Sequence, residues 1–312
     1  IHGGIYFFVD KVDQAIHHLS QNAWIAVQAG LIEAAWELMN ANSHLKVFAS
    51  IRQEAFSNYQ SDIKSNLFAA TTCLDYSDDD LHALFDQLAR CYEGFPNFTE
   101  FLGLNVLRHG RRPAPEDAFG YVLRHTCGRP RDLVAIASTV SSNRSTLNES
   151  RLRELVQQTC ADVVVSNLFD EMDVFLNCLG EREARLRLLS RIPANILEPA
   201  VAIRLCEEFN GLEPGSFAHF GNQSSDLFHP FRDLYYVGLL GVVDRDPESG
   251  MLIQRFRRPH DSVSPAAAEL IDSPVLLIHP ALDTYIRRQR INKDFIQFQH
   301  IRVGEKLVWQ PY

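Results

Sequence analysis

The segment Ile5-Tyr6-Phe7-Phe8-Val9-Asp10-Lys11-Val12-Asp13 decides the fold. Its first five residues are all β-branched or aromatic and leave no polar face, which is the pattern of a strand buried on both sides of a parallel sheet. Asp10 closes the run. Residues 14–40 read as helix, with Ile16, Leu19, Ile25, Leu31, Ala35 and Leu38 at roughly helical spacing and Gly30 as a candidate break. Trp24 and Trp36 belong to the core of that helix rather than to a cofactor box. Leu45-Lys46-Val47-Phe48-Ala49-Ser50-Ile51 is a second strand, ending at Arg52. Strand, helix and strand in this order predict a right-handed parallel crossover.

Further along, Thr71 to Leu74 predicts a third short strand. Ser77 predicts the N-cap of a helix whose first turn is Asp78-Asp79-Asp80. Residues 94–115 read mostly as loop with one short helix. Pro115-Glu116-Asp117 predicts the start of a helix running to about His125. Gly128 breaks that helix, and Pro130 sits in the first turn of the next. Residues 146–210 read as helical throughout, opened by a Thr146/Glu149 capping box. Beyond Asp226, residues 227–240 predict a helix ending near Gly238 or Gly241. The runs 241–244 and 251–256 flank a turn and predict a hairpin. Val275 to Ile278 is a last apolar run, followed by His279, which reads as a structural histidine.

The chain has 312 residues, of which 46% are hydrophobic and 22% charged, an ordinary globular composition. It opens at Ile1 and enters the apolar run almost at once, which reads as a fragment of something longer. The net charge of −9 is uneven: residues 1–100 carry 5 basic and 13 acidic side chains (−8), residues 101–228 carry 14 and 16 (−2), and residues 229–312 carry 11 and 10 (+1). The acidic first third argues against nucleic-acid binding there. Six widely spaced cysteines without a CxxC pair exclude a disulfide framework or zinc site and predict reduced thiols in a cytoplasmic protein. No apolar stretch reaches the roughly 18 residues of a membrane helix, so no membrane partner is expected. No nucleophile elbow of the Gly-x-Ser-x-Gly type occurs.

The candidate site residues stand at the ends of these elements. Asp10 lies at the C-terminal tip of a strand, where ligands bind in open α/β sheets. The run through Asp10-Lys11-Val12-Asp13 resembles the Walker B element of the KAP and STAND branches of P-loop ATPases, with Lys11 in place of the usual middle acid. Thr126-Cys127-Gly128-Arg129-Pro130-Arg131-Asp132-Leu133 resembles the Gly-x-x-Arg sensor-2 motif in the lid of AAA+ and STAND ATPases. The resemblance covers roughly residues 1–140. It implies Mg²⁺ at Asp10, a base at Asp13, a γ-phosphate sensor at Arg52, and nucleotide contact from Arg131 and Arg129 in the lid. It also implies ATP and Mg²⁺ as cofactors of a full-length parent, a homo-oligomer, and a prokaryotic, antiviral-defence setting.

The fold so implied is α/β followed by mostly α. Residues 1–110 would be the C-terminal part of the ATPase core, with a partial parallel P-loop-type sheet. Residues 111–145 would be a helical lid, 146–225 a helical domain and 226–312 a winged-helix-like module. No Gly-x-x-x-x-Gly-Lys-Ser/Thr run exists in the chain. The phosphate loop is therefore expected on an upstream P-loop segment of the same protein, and the chain alone is expected not to bind ATP tightly. Arg255, Arg257, Arg258, Arg287, Arg288 and Arg290 are candidate phosphate contacts, although acids Asp244, Asp246 and Glu248 crowd the wing tip. Contact between domains is the favoured role of the module and DNA contact the lesser one. The rival to a switch ATPase is a non-enzymatic module, with a degenerate ATPase half, that binds protein or DNA.

Overall fold

The computed structural model describes residues 4–108, 115–216, 229–247, 249–258, 261, 273–289, 294–298, 300–303 and 306–309. The chain is mixed α/β, and its contacts divide it into two compact units. One is formed by residues 1–75 with 260–269. The other is formed by residues 76–259 with 270–312. The division at Asp75/Tyr76 falls inside the 1–110 segment of the sequence reading.

The first unit is the predicted crossover. Strand β1 (Ile5–Val9) is followed by a single helical turn, α1 (Val12–Ala15), then the long helix α2 (Gln21–Ala41) and strand β2 (Leu45–Ala49). β1 and β2 pair in parallel, from Ile5 opposite Leu45 to Val9 opposite Ala49. The predicted helix over 14–40 is thus split, because Ser20 is extended and restarts the helix at Gln21. Gly30 does not break α2. Trp24 and Ala35 are buried along it, and α2 packs against β2 and against α3 (Gln53–Asn58). After α4 (Lys64–Ala69), the predicted strand at Thr71 to Leu74 is irregular chain, and its residues are exposed.

The second unit is mostly helical. α5 (Asp78–Leu88) begins at Ser77, whose hydroxyl accepts from the Asp80 amide while the Asp80 carboxylate accepts from the Ser77 amide. α6 (Phe98–Leu102) leads to β3 (Val106–Leu107), which pairs antiparallel with β4 (Glu116–Asp117). Residues 116–117 are therefore strand rather than helix. Asp117 instead caps α7 (Ala118–Leu123) by accepting from the Gly120 amide. α8 (Pro130–Ser141) starts where predicted, and Gly128 before it takes φ 67°, a left-handed turn that a Cβ would strain. α9 (Glu149–Thr159) is capped by Asn148, not by the predicted Thr146 box. It runs through a π-helical turn, Cys160–Val164, into α10 (Val165–Met172). α11 (Arg182–Leu189), β5 (Ile196–Leu197) and α12 (Pro199–Asn210) follow, so strand interrupts the region read as helical throughout.

α13 is Pro230–Tyr236, shorter than the predicted helix, and Leu240 already belongs to strand β6 (Leu240–Arg245). The hairpin is present as predicted, β6 pairing antiparallel with β7 (Leu252–Phe256). β8 (Leu276–Ile278) completes a four-stranded antiparallel sheet in the order β5-β8-β6-β7. The Phe256 ring lies where a Cβ on Gly241 would sit, 2.7 Å away, so only glycine fits opposite it in the ladder. α14 (Leu282–Gln289) packs against the π-helical turn, and β9 (His300–Val303) pairs antiparallel with β10 (Lys306–Trp309). The predicted boundaries at 110/111 and 225/226, and Glu248 and Arg290, lie outside the described residues.

Candidate functional site at the ends of the parallel strands

Three of the five predicted site residues lie in the first unit, all just past the C-terminal ends of β1 and β2. The last residues of the two strands, Val9 and Ala49, are register partners. The Ser50 amide extends the ladder by donating to the Val9 carbonyl at 2.9 Å. The Ser50 hydroxyl donates to the Asp10 carboxylate. This bond, with the Lys11 backbone amide and then the Lys11 charge, holds the exposed Asp10 below the usual carboxylate range. Lys11, which replaces the middle acid of the resembled motif, turns the chain with φ 60°. It is the only non-glycine residue with positive φ among the described residues.

Arg52 is the next fixed group. Its Nε donates to Asp13 Oδ2 at 2.9 Å, and both side chains are about a quarter exposed. Its amide donates to Gln28 Oε1 at 3.0 Å, and Gln28 is buried in α2. The long helix thus sets the Arg52 backbone while Asp13 sets its guanidinium. A cavity of about 330 Å³ opens along α2, lined in part by Asn22, Gly30, Glu33 and Tyr59, but it does not include Asp10, Asp13 or Arg52.

Arg129 and Arg131 lie in the second unit, at the start of α8. Arg129 is 11% exposed and makes two 3.1 Å bonds to Asp132 and one of 2.7 Å to Glu171. The Asp132 carboxylate also accepts from the Cys127 amide. Burial first, and the Asp132 charge second, push the Cys127 thiol up to about 12, so it stays protonated at neutral pH. Arg131 is 58% exposed and pairs with the other oxygen of the same Glu171. The two arginines therefore differ: Arg129 is built into the helix corner, while Arg131 projects to solvent on one ion pair.

Sequence reasoning passed over Ser50, Gln28 and Glu171. Ser50 had a signal, since it occupies the position after the last paired residue of a strand neighbouring Asp10. Glu171 had none, because forty residues separate it from Arg131 and only the folded chain brings the two together, with α8 and α10 both packed on the π-helical turn. The six cysteines are free, as read from their spacing. His279 is buried, and burial lowers it to about 3, consistent with a structural histidine.

The oxygen donors fit one of the two implied cofactors. Mg²⁺ takes oxygen ligands, keeps several waters and is held through one or two carboxylates plus substrate phosphates. Asp10 beside Ser50 offers that kind of set, and no cluster of three metal-ligating side chains exists among the described residues. The chain does not fit the phosphates equally well, since it has no glycine-rich Lys-Ser/Thr loop to cradle them. No family model, curated protein or solved structure matches this chain. No helix of the described residues is long and apolar enough to cross a membrane.

Proposed function

We propose that this chain is the second half of a nucleotide-dependent switch ATPase, in a parent protein whose phosphate loop lies on another segment. The observation that carries this is the gathering of Asp10, Ser50, Asp13 and Arg52 past the carboxyl ends of two adjacent parallel strands. In this reading Asp10 and Ser50 hold hydrated Mg²⁺, Asp13 is the candidate base, and Arg52 reads the γ-phosphate. A guanidinium suits that last role because its planar fork binds phosphate oxygens in pairs. Asp13 now occupies one edge of the Arg52 fork, so substrate engagement exchanges or shares that contact. Arg131, exposed and singly paired, is the lid residue free to swing; Arg129 shapes the corner that carries it.

The C-terminal sheet and helices serve as a winged-helix-like relay to an effector or to other subunits of a homo-oligomer. The arginines expected to reach DNA support contact within the protein instead. Arg255 pairs with Asp244 at 3.0 Å, Arg258 with Asp78 at 2.8 Å, and Arg288 with Asp162. Arg257 is buried over the Tyr236 ring.

The second reading, a non-enzymatic interaction module, is favoured by Lys11 at the middle-acid position and by the engagement of both lid arginines with Glu171. Mg·ATP binding and turnover by the complete parent separates the two. The switch reading expects Asp10→Asn and Arg52→Ala each to lower turnover by about 10²–10³-fold, the scale of losing a charge-stabilising group. Unchanged turnover in both variants, or no nucleotide binding by the parent, overturns it.

A further inference from the structure

α2 carries a glycine that its backbone does not require. Gly30 stands inside the helix, its φ is not positive, and a Cβ built on it would meet nothing within 4 Å. A glycine inside a helix weakens it relative to alanine, and neither packing nor conformation calls for one here. Gly30 lines the cavity of about 330 Å³ along α2, a volume at the lower end of small-ligand pockets. Ile25, Ala26 and Ala29 line it on the same face of the helix and give it an apolar wall. Glu33, one turn beyond Ala29 on that face, supplies the one charged side chain of the lining. Ser61 donates to Glu33 Oε1 at 3.0 Å and fixes the carboxylate. Among the described residues no Lys, Arg or His pairs with it. α2 contains no basic residue, and Glu37 adds a second negative charge one turn further on. Lys64, at the start of α4, is turned instead to the carbonyls of Ser57 and Tyr59, at 3.0 and 2.7 Å. Tyr59 also lines the cavity, and its hydroxyl is buried without a hydrogen-bond partner, an arrangement that costs free energy until something supplies one.

We propose that this cavity binds a primary alkylammonium group, its methylenes against Ile25, Ala29 and Gly30 and its charged head on the Glu33 carboxylate. The ligand is an apolar stem ending in a cation, and the lining repeats that division: an apolar wall ending in an anion. The Tyr59 hydroxyl is a second acceptor for the three N–H bonds of such a head. Other ligand classes fit less well. An anion meets no cationic side chain in the lining. A bare divalent ion finds a single carboxylate and an apolar wall that offers it no oxygen. A neutral apolar ligand takes water from Glu33 and returns no partner. The same head group is borne by a free alkylamine and by the lysine side chain of a peptide. Asp10, Asp13 and Arg52 are not in the lining, so the proposal does not use the ATPase reading.

Titration of the 312-residue chain with n-butylammonium chloride, followed by amide chemical shifts in nuclear magnetic resonance, tests this. The Ala29, Gly30 and Tyr59 amides are expected to shift and to saturate, while n-butanol and butyrate at the same concentrations move none of them. Glu33→Gln keeps the shape of the side chain and is expected to weaken binding by about 10-fold, the scale of losing one charged hydrogen-bond partner. Gly30→Leu intrudes on the cavity and is expected to abolish binding. Leucine also favours the helix more than glycine does, so an unchanged spectrum away from α2 shows that this variant folds. Nα-acetyl-lysine methylamide is titrated in parallel. Tighter binding than n-butylammonium assigns the site to a peptide lysine, and weaker binding assigns it to a free amine. Shifts that do not saturate, equal binding of n-butanol, or binding that survives Gly30→Leu each overturn the proposal. No nucleotide is present in any arm, so failure here leaves the ATPase reading standing, and failure of that reading leaves this site.

Discussion

β1 and β6 read alike in the sequence, as short apolar runs with β-branched residues and no polar alternation, yet they end in opposite circumstances. Leu240, Gly241, Val242 and Val243 of β6 are all buried, between β7 and β8 and beneath α13. The first four residues of β1 are all exposed. An apolar strand records where side chains require burial, not whether the stretch of chain around it supplies the cover. In the second unit the cover comes from helices and antiparallel neighbours within the same unit. In the first, the helix that follows β1 covers β2 instead.

The widest separation is expected from paired truncations. Leu277 of β8 is fully buried, so Leu277→Ala leaves a cavity and is expected to cost about 2–5 kcal/mol. Phe8→Ala in the same chain removes a ring that is mostly in water and is expected to cost under about 0.5 kcal/mol. Denaturant titration of both variants measures this, and equal losses would erase the contrast between the two sheets.

Arg129 and Arg131 sharpen the contrast inside the second unit. Arg129→Ala strips the partner from Asp132, which is 2% exposed, and is expected to cost about 3–5 kcal/mol, the scale of breaking a buried ion pair. Arg131→Ala loses one largely solvated pair and is expected to cost about 0–1 kcal/mol. Melting temperatures that fall equally for both would remove the distinction between a built-in and a movable arginine.

A smaller effect concerns pH. Asp283 lies in the first turn of α14, 3% exposed, with Gln297 donating to it at 2.6 Å. Burial raises it to about 7, against the lowering pull of Arg287 and Arg124. A carboxyl whose folded value lies above its unfolded one binds more protons when folded, so its contribution falls as pH rises from about 4 to 7. His229 and His279, lowered by burial to about 4 and about 3, work in the other direction, because the unfolded chain takes up their protons below about 6.5. In wild type these slopes oppose each other. Asp283→Asn is expected to leave only the two histidine slopes, so that stability rises with pH from about 4 to 6.5, at up to roughly 1.4 kcal/mol per pH unit for each histidine. Melting curves across that range check it, and an unchanged profile refutes it. The smallest expected change is at Asp10→Asn, whose exposed carboxylate can be replaced with the melting temperature expected to stay unchanged.

What the sequence made legible follows from the range of the forces involved. The parallel crossover, the Ser77 cap and the Gly128-Pro130 corner were readable because each is set by residues within one or two turns. Asp10, Asp13 and Arg52 were readable as a group because strand ends of one crossover lie together. The split at Ser20, the Glu116–Asp117 strand and the end of α13 at Tyr236 were not, since a partner strand or an extended cap residue overrides local preference there. The roles of Glu171, Gln28 and Ser50 are tertiary facts, created by the ion pairs of Glu171 with the start of α8, by the packing of α2 on β2 and α3, and by the pairing of β1 with β2.

Asp233 carries one last consequence. Its carboxylate, 2% exposed, accepts from the amides of Asn177, Cys178 and Leu179, and Arg185 clasps the Leu179 carbonyl from the other side. A protease needs an extended, yielding stretch to thread through its cleft, and stretches without helix or strand are usually where it cuts. Here residues 176–180 are riveted from both sides, so digestion of the native chain is expected to pass over this span, and cleavage there would begin only once Asp233 is replaced by Ala.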